Sequence, residues 1–194
     1  MPLNTHASHA GRNYGGSPLV ATLENHWTTY RPFWFLLWGG VLERHPKLQL
    51  CFTESGGLQA LWFNDYFDHY LSIYRRPDQV KAAITMKPSE YWYRQCYVGA
   101  SAHSTRQEIL QRDKIGVNNI MWGSDYPHPE GTWPASIERT HDMFHDIPER
   151  DVVQMVGGNA ARVYGFDIDQ MQKVAARIGP KIADISGPLK KAVA

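Results

Sequence analysis

Two hydrophobic rhythms take turns along this chain. Short apolar runs lie at Leu3 to His6, Leu48 to Thr53, Gln95 to Gly99 and Asn118 to Gly123. Each is bounded by Gly, Pro or polar residues, as buried strands are. Between them lie longer stretches with apolar residues at helical spacing. Residues 30–45 predict a helix with Pro32 in its first turn and His45-Pro46 at its close. Residues 58–74 predict a strongly amphipathic helix, and Ser89 to Arg94 one helical turn. Ser104 or Thr105 can N-cap a helix that runs to about residue 113. Helices follow at 134–144 and 148–156, then a break at Gly157-Gly158-Asn159 and a further turn from Ala160 to Tyr164. A last helix covers residues 167–178. Residues 10–28 and 77–87 read as loops, and the tail from Gly179 as loose.

Strands that alternate with helices imply parallel βαβ units. Four such units start at residues 3, 48, 95 and 118, whereas a closed (β/α) barrel needs about eight. The predicted fold is therefore α/β, a partial TIM barrel made of roughly its last four strand–helix units. Residues 1–166 would form the barrel portion and residues 167–194 a C-terminal helix with a loose tail. A half barrel is expected to expose two parallel edges and an open apolar inner face. A second copy of the chain, or a missing N-terminal half, would cover such a surface.

Composition narrows the class. The chain has 194 residues, 43% hydrophobic and 20% charged, with a formal net charge of +1. That balance gives no electrostatic signal for nucleic acid. No basic leader with a long apolar segment opens the chain, and its most apolar window, Phe33 to Val41, is too short to span a membrane. A soluble cytoplasmic protein is expected. Cys51 and Cys96 both lie in strand-like runs and read as reduced core thiols. Trp62, Phe63, Tyr66, Phe67 and Tyr70 recur at helical spacing. A helix face packed on a sheet explains them best, and an aromatic substrate pocket is the second explanation.

The most telling run is Asn119-Ile-Met-Trp-Gly-Ser-Asp125-Tyr-Pro127-His128-Pro129. An apolar strand delivers one carboxylate to its C-terminal end, where two prolines stop the strand and a rigid loop begins. In α/β barrels, chemistry sits at that end of the strands. Taken locally, Asp125 is also a good turn former.

This run resembles the last barrel strand of the amidohydrolase-related family of metal-dependent TIM-barrel enzymes, which includes aminocarboxymuconate semialdehyde decarboxylase and aromatic-acid decarboxylases. Three further segments carry the resemblance in the family's order: Gly39 to Leu48, Phe52 to Gly57 and Gly157 to Gly165. The resemblance implies that Asp125 binds a divalent metal and handles a proton, and that His6, at the end of the first strand here, is a second metal ligand. Zn²⁺ is the first expectation for the metal and Mn²⁺ the alternative. The decarboxylases carry a histidine where this chain has Glu54. Glu54 could serve as a general base, a partner for a histidine ligand or an anionic ligand. It could equally fix the glycine turn that follows. His9, His103 and His128 lie in loops at strand ends and are candidate contacts to a small-molecule substrate. His26, His45 and His69 read as structural or solvated. His141 and His145 stand four apart on a helix, without the Glu-x-x-His pattern that would mark a metal site. The family's first-strand His-x-His pair does not occur in these 194 residues.

The leading expectation is a metal-dependent hydrolase in which activated water attacks an amide, an ester or a similar carbon centre. The alternative on the same scaffold is non-oxidative decarboxylation of an aromatic or unsaturated acid, with Asp125 protonating the carbon. A reading of another class is an inactive fragment that acts only by association. No serine-nucleophile elbow, Walker loop or dinucleotide fingerprint competes.

Overall fold

A computed structural model describes residues 1–6, 18–73, 78, 83–99 and 105–188. Its centre is one parallel sheet of four strands in the order β1-β2-β3-β4: Leu3–His6, Leu50–Thr53, Cys96–Gly99 and Ile120–Met121. The register runs His6 to Thr53, Thr53 to Gly99 and Gly99 to Met121. Strand order follows chain order, as successive right-handed crossovers in a barrel require.

Side chains alternate across the sheet. Leu50, Phe52, Cys96, Val98 and Ile120 face the helices and join the main core. Three rings stack there: Tyr30 on Phe52 at 4.6 Å and Phe52 on Trp92 at 5.6 Å. Cys51, Tyr97 and Met121 face the other way and form a second cluster with Val163. The inner face was expected to lie open. Instead these three strand residues are buried, because the helix α9 (Asn159–Tyr164) lays Ala160, Val163 and Tyr164 over them. The edges do match expectation: among the described residues, β1 and β4 each pair on one side only.

Helix α1 spans Pro18–Trp38, so the expected loop over residues 10–28 is helical from residue 18 onward; residues 10–17 lie outside the described region. Pro32 sits inside this helix rather than in its first turn. An interior proline costs about 3 kcal/mol. Burying Tyr30, Phe33 and Leu37, each at most 1% exposed, returns roughly 1.5–3 kcal/mol per side chain. After a short helix α2 (Val41–Arg44), α3 covers Gly57–Ile73, close to the predicted 58–74. Its aromatic stripe divides, with Phe63 and Phe67 buried and Trp62, Tyr66 and Tyr70 exposed. Helix α4 is Pro88–Gln95. The helix predicted to end at about residue 113 is two short ones, α5 (Arg106–Leu110) and α6 (Arg112–Ile115), with Thr105 as the N-cap. Helix α7 is Ser136–Phe144.

The predicted break at Gly157-Gly158-Asn159 does not occur. Helix α8 (Glu149–Val153) passes through one π-helical turn, Gln154–Gly158, straight into α9. The wide turn has a purpose. The Asn159 amide bonds back to the Gln154 carbonyl, which leaves the Met155 carbonyl to accept from the Trp122 amide at 2.8 Å. The Asn159 side chain donates to the carbonyls of Val117 and Ile120, both at 2.7 Å. The C-terminal helices are thus stitched to the strand that carries Asp125. Helix α10 (Ile168–Ile178) follows its Asp167 cap. Within the tail expected to be loose, α11 (Ile182–Ser186) forms and its Ile185 is 4% exposed; residues 189–194 lie outside the described region. No helix among the described residues is long and apolar enough to cross a membrane.

Candidate active site

The strands' C-terminal ends bring two carboxylates forward by the same device. Glu54 follows β2 with φ 55°, and Asp125 follows β4 with φ 58°. This left-handed conformation is uncommon outside glycine, and it turns each side chain out of the regular alternation of its strand. Such outliers concentrate at functional sites.

A closed loop holds Asp125. The Ser124 carbonyl accepts from the Thr132 amide at 2.9 Å, the Asp125 carbonyl from the His128 amide at 2.7 Å, and the His128 carbonyl from the Gly131 amide at 2.9 Å. A Cβ at Gly131 would lie within 3.0 Å of all three of those carbonyl oxygens, so only glycine closes this loop. Tyr126-Pro127 and Trp133-Pro134 are cis. Asp125 Oδ2 is buried and has no hydrogen-bond partner. His128 Nδ1 stands 3.4 Å from it, within ion-pair distance, but that nitrogen already accepts the Glu130 amide at 3.3 Å. Its lone pair therefore points at that amide, and Asp125 Oδ2 receives no hydrogen bond from the ring nitrogen.

His6, on the inner-face parity of β1, lies with its Nε2 3.2 Å from Glu54 Oε2. The register sets this pair, because His6 is opposite Thr53. His6 and Glu54 are thus brought together, as are Asp125 and His128; β3 lies between the two pairs. Behind Glu54, the Gly56 carbonyl accepts from Tyr30 Oη at 2.7 Å, and the Gly57 amide donates to Glu108 Oε1 at 2.5 Å. Burial pushes the Glu108 carboxyl up to about 7, against the two backbone amides that hold it down. Sequence reading missed Glu108. The signal was Thr105-Arg-Gln-Glu108, a capping-box pattern. It also missed Tyr126 and Trp133, two exposed rings edge to face at 5.9 Å on the Asp125 loop.

His9 and His103 lie outside the described residues, as does the side chain of His26. His69 is exposed. His141 Nε2 bonds to the Gly187 carbonyl at 3.0 Å and His145 Nδ1 to the His141 carbonyl at 3.2 Å, which are structural roles. Cys51 and Cys96 are free and buried, and burial raises both thiols. Asp125 Oδ2 fits one ligand position of a divalent cation. Among the described residues, however, no three His, Cys, Asp or Glu side chains converge into a metal cage.

A run of parallel βα units with carboxylates at the strand ends is the carboxyl-terminal mouth of a (β/α) barrel. The pattern of the amidohydrolase family matches residues 6–166, and the chain belongs to that family. It is 26% identical over 133 residues to a 2-amino-3-carboxymuconate-6-semialdehyde decarboxylase of Dictyostelium discoideum, covering 68% of this chain and 35% of that protein. The Caenorhabditis elegans enzyme of the same name is 24% identical over 139 residues, covering 70% and 32%. The chain thus spans about a third of the length of these relatives. Solved structures share the fold. A 5-carboxyvanillate decarboxylase from Sphingomonas paucimobilis superimposes with a TM-score of 0.60 at 21% identity, over 86% of this chain and 50% of its own. An amidohydrolase from Mycobacterium avium subsp. paratuberculosis gives 0.64 at 20% identity, over 84% and 42%. A dihydroxybenzoic acid decarboxylase from Polaromonas, solved with manganese and 2-nitroresorcinol, gives 0.60 at 17%, over 84% and 49%. The fold is a partial TIM barrel of the amidohydrolase type.

Proposed function

We propose that this chain carries the carboxyl-terminal strand ends of a decarboxylase acting on an aromatic or unsaturated carboxylic acid. The observation that carries the reading is Asp125: a carboxylate at the mouth of the last strand with one buried oxygen and no hydrogen-bond partner. In this reading that oxygen carries the proton. In the step proposed, the bond from the substrate carbon to its carboxylate breaks and CO₂ leaves. The electron pair stays on the carbon and takes the proton from Asp125. Tyr126 and Trp133 offer an exposed aromatic pair beside it for a planar substrate. Two decarboxylase relatives support this reading over the hydrolase first expected from sequence.

A divalent metal accords with the family and with the manganese in one structural neighbour. Asp125 supplies a donor of the right kind. The described residues do not complete a metal site, so no step is assigned to the metal. The remaining donors would come from elsewhere in an assembled barrel.

One observation favours hydrolysis instead. Glu54, paired with His6, puts a negative charge where an anionic substrate would have to approach. The two readings separate in one assay. The 194-residue chain, supplied with Mn²⁺ or Zn²⁺, is offered aromatic and unsaturated acids in one series and amides and esters in the other. Release of CO₂ from the acids supports the proposal. Hydrolysis of the amides or esters with no CO₂ release overturns it.

A further inference from the structure

We propose that Glu108 is a positioning residue: its carboxylate caps the N-terminus of a second helix, α3, and in doing so locks the turn that presents Glu54. The inference goes beyond the decarboxylase reading and does not rest on it.

Glu108 belongs to α5, whose N-cap is Thr105: Thr105 Oγ1 accepts the Glu108 amide at 3.3 Å. The Glu108 carboxylate reaches out of its own helix and takes the first amide of α3, that of Gly57, at 2.5 Å. An anion at a helix N-terminus is favourable twice over, through the orphan amide and through the helix dipole.

Glycine at residues 56 and 57 leaves room for this approach. A Cβ on Gly57 would stand 3.0 Å from Glu108 Oε1 and 2.8 Å from Ile115 Cγ2, and a Cβ on Gly56 3.1 Å from Glu108 Oε2. From the far side Tyr30 Oη donates to the Gly56 carbonyl. The segment from Glu54 to Gly57 is therefore gripped at both ends of the Gly56-Gly57 peptide. Its first residue is Glu54, in the left-handed region and paired with His6. A chain fixed two residues away has little freedom to let Glu54 leave that conformation.

A carboxylate that grips only while ionised makes the lock sensitive to pH. Glu108 is 2% exposed, and burial lifts its carboxyl to about 7. The groups around it do little to oppose this. From α1 comes the Tyr30 phenol, whose proton is committed to Gly56. From α3 come backbone amides and the neutral Gln59. From α6 comes the apolar Ile115. Cys96 on β3 acts on Tyr30. The nearest cations on its own and the next helix are engaged elsewhere: Arg106 with the carbonyls of Met143 and His145, Arg112 with Asp151. Protonation would remove the charge-assisted bond to Gly57 and loosen the turn.

The test is an amide NMR titration of the 194-residue chain from about pH 5 to about pH 9, wild type beside Glu108→Gln, a window that spans the carboxyl's raised value. The expected result is a step at the Gly57 and Glu54 amides, with its midpoint near 7, that disappears from both in Glu108→Gln. Effects on these amides that are common to both proteins are removed by the subtraction. A Gly57 amide that does not move, a step that survives in Glu108→Gln, or a Glu54 amide without the Glu108-dependent step would each overturn the proposal. If Glu108→Gln does not fold, the ¹³C shift of the wild-type Glu108 carboxyl decides. A midpoint near 7, shared with Gly57, supports the lock. A midpoint in the ordinary carboxylate range overturns it. Neither readout needs substrate or metal, so the result is independent of the decarboxylase reading.

Discussion

The chemistry proposed for this chain rests on single residues, Asp125 above all. Asp125 was legible in the sequence because an apolar strand, one carboxylate and two prolines form a pattern that needs no tertiary information. The pairing of His6 with Glu54 was legible only in part. Both residues stood out, but the register that sets them side by side is a property of the sheet. Glu108 was not legible, since nothing local tells that a capping carboxylate also reaches a second helix fifty-one residues away. Two residue-scale predictions follow from contacts. At Gly99, φ is 123° and a Cβ would stand 1.7 Å from the Met121 carbonyl oxygen. Gly99→Ala should cost about 3 kcal/mol or more in urea unfolding, because β3 and β4 must separate to accept it. Glu108 gives a signed pH effect. Its folded value, about 7, lies above the ordinary 4.5, so between those values the folded chain holds more protons than the unfolded one. Stability from this group is full below the lower value, falls as pH rises through the window, and levels off above it. The fall should be on the order of 1–3 kcal/mol and should be absent from Glu108→Gln, measured by denaturant midpoints across the window.

Among the elements, existence and type were readable and boundaries were not. Four strands and the helices between them follow from apolar runs and spacing. The errors lie where tertiary contacts outweigh local preference. Pro32 reads as a helix start, yet the burial of Tyr30, Phe33 and Leu37 holds a continuous helix through it. Gly157-Gly158 reads as a break, yet Asn159 bridges from the helix to the two carbonyls before and within β4. Asn159→Ala should therefore destabilise the chain by about 1–3 kcal/mol, since it leaves the buried Ile120 carbonyl and the half-buried Val117 carbonyl with one partner fewer each. Hydrogen exchange should show the loss first at Trp122, whose amide bonds to the same π-helical turn. In the tail, Ile185 is buried in a helix that packs on α7 and α8, a contact that no periodicity of so short a segment reveals. Ile185→Ala should cost about 2–4 kcal/mol if α11 belongs to the cooperative fold. A change below about 0.5 kcal/mol in a denaturant melt would mean that α11 frays independently.

At the scale of the whole molecule, the chain is a run of barrel units whose inner face is partly closed by its own α9 helix and whose outer strands, among the described residues, pair on one side only. The strand ends gather the residues on which the proposed chemistry rests, with Asp125 as its centre. Asparagine adopts the left-handed backbone as readily as aspartate, so Asp125→Asn changes the acid and leaves the turn. The decisive measurement is CO₂ release from aromatic and unsaturated acids by the Mn²⁺-supplied wild-type chain beside Asp125→Asn, with unfolding midpoints recorded on both. The account predicts release by the wild type and a fall of about 10²-fold or more in the variant at unchanged stability. Release that is equal in the two proteins, or hydrolysis of amides and esters in its place, would contradict it.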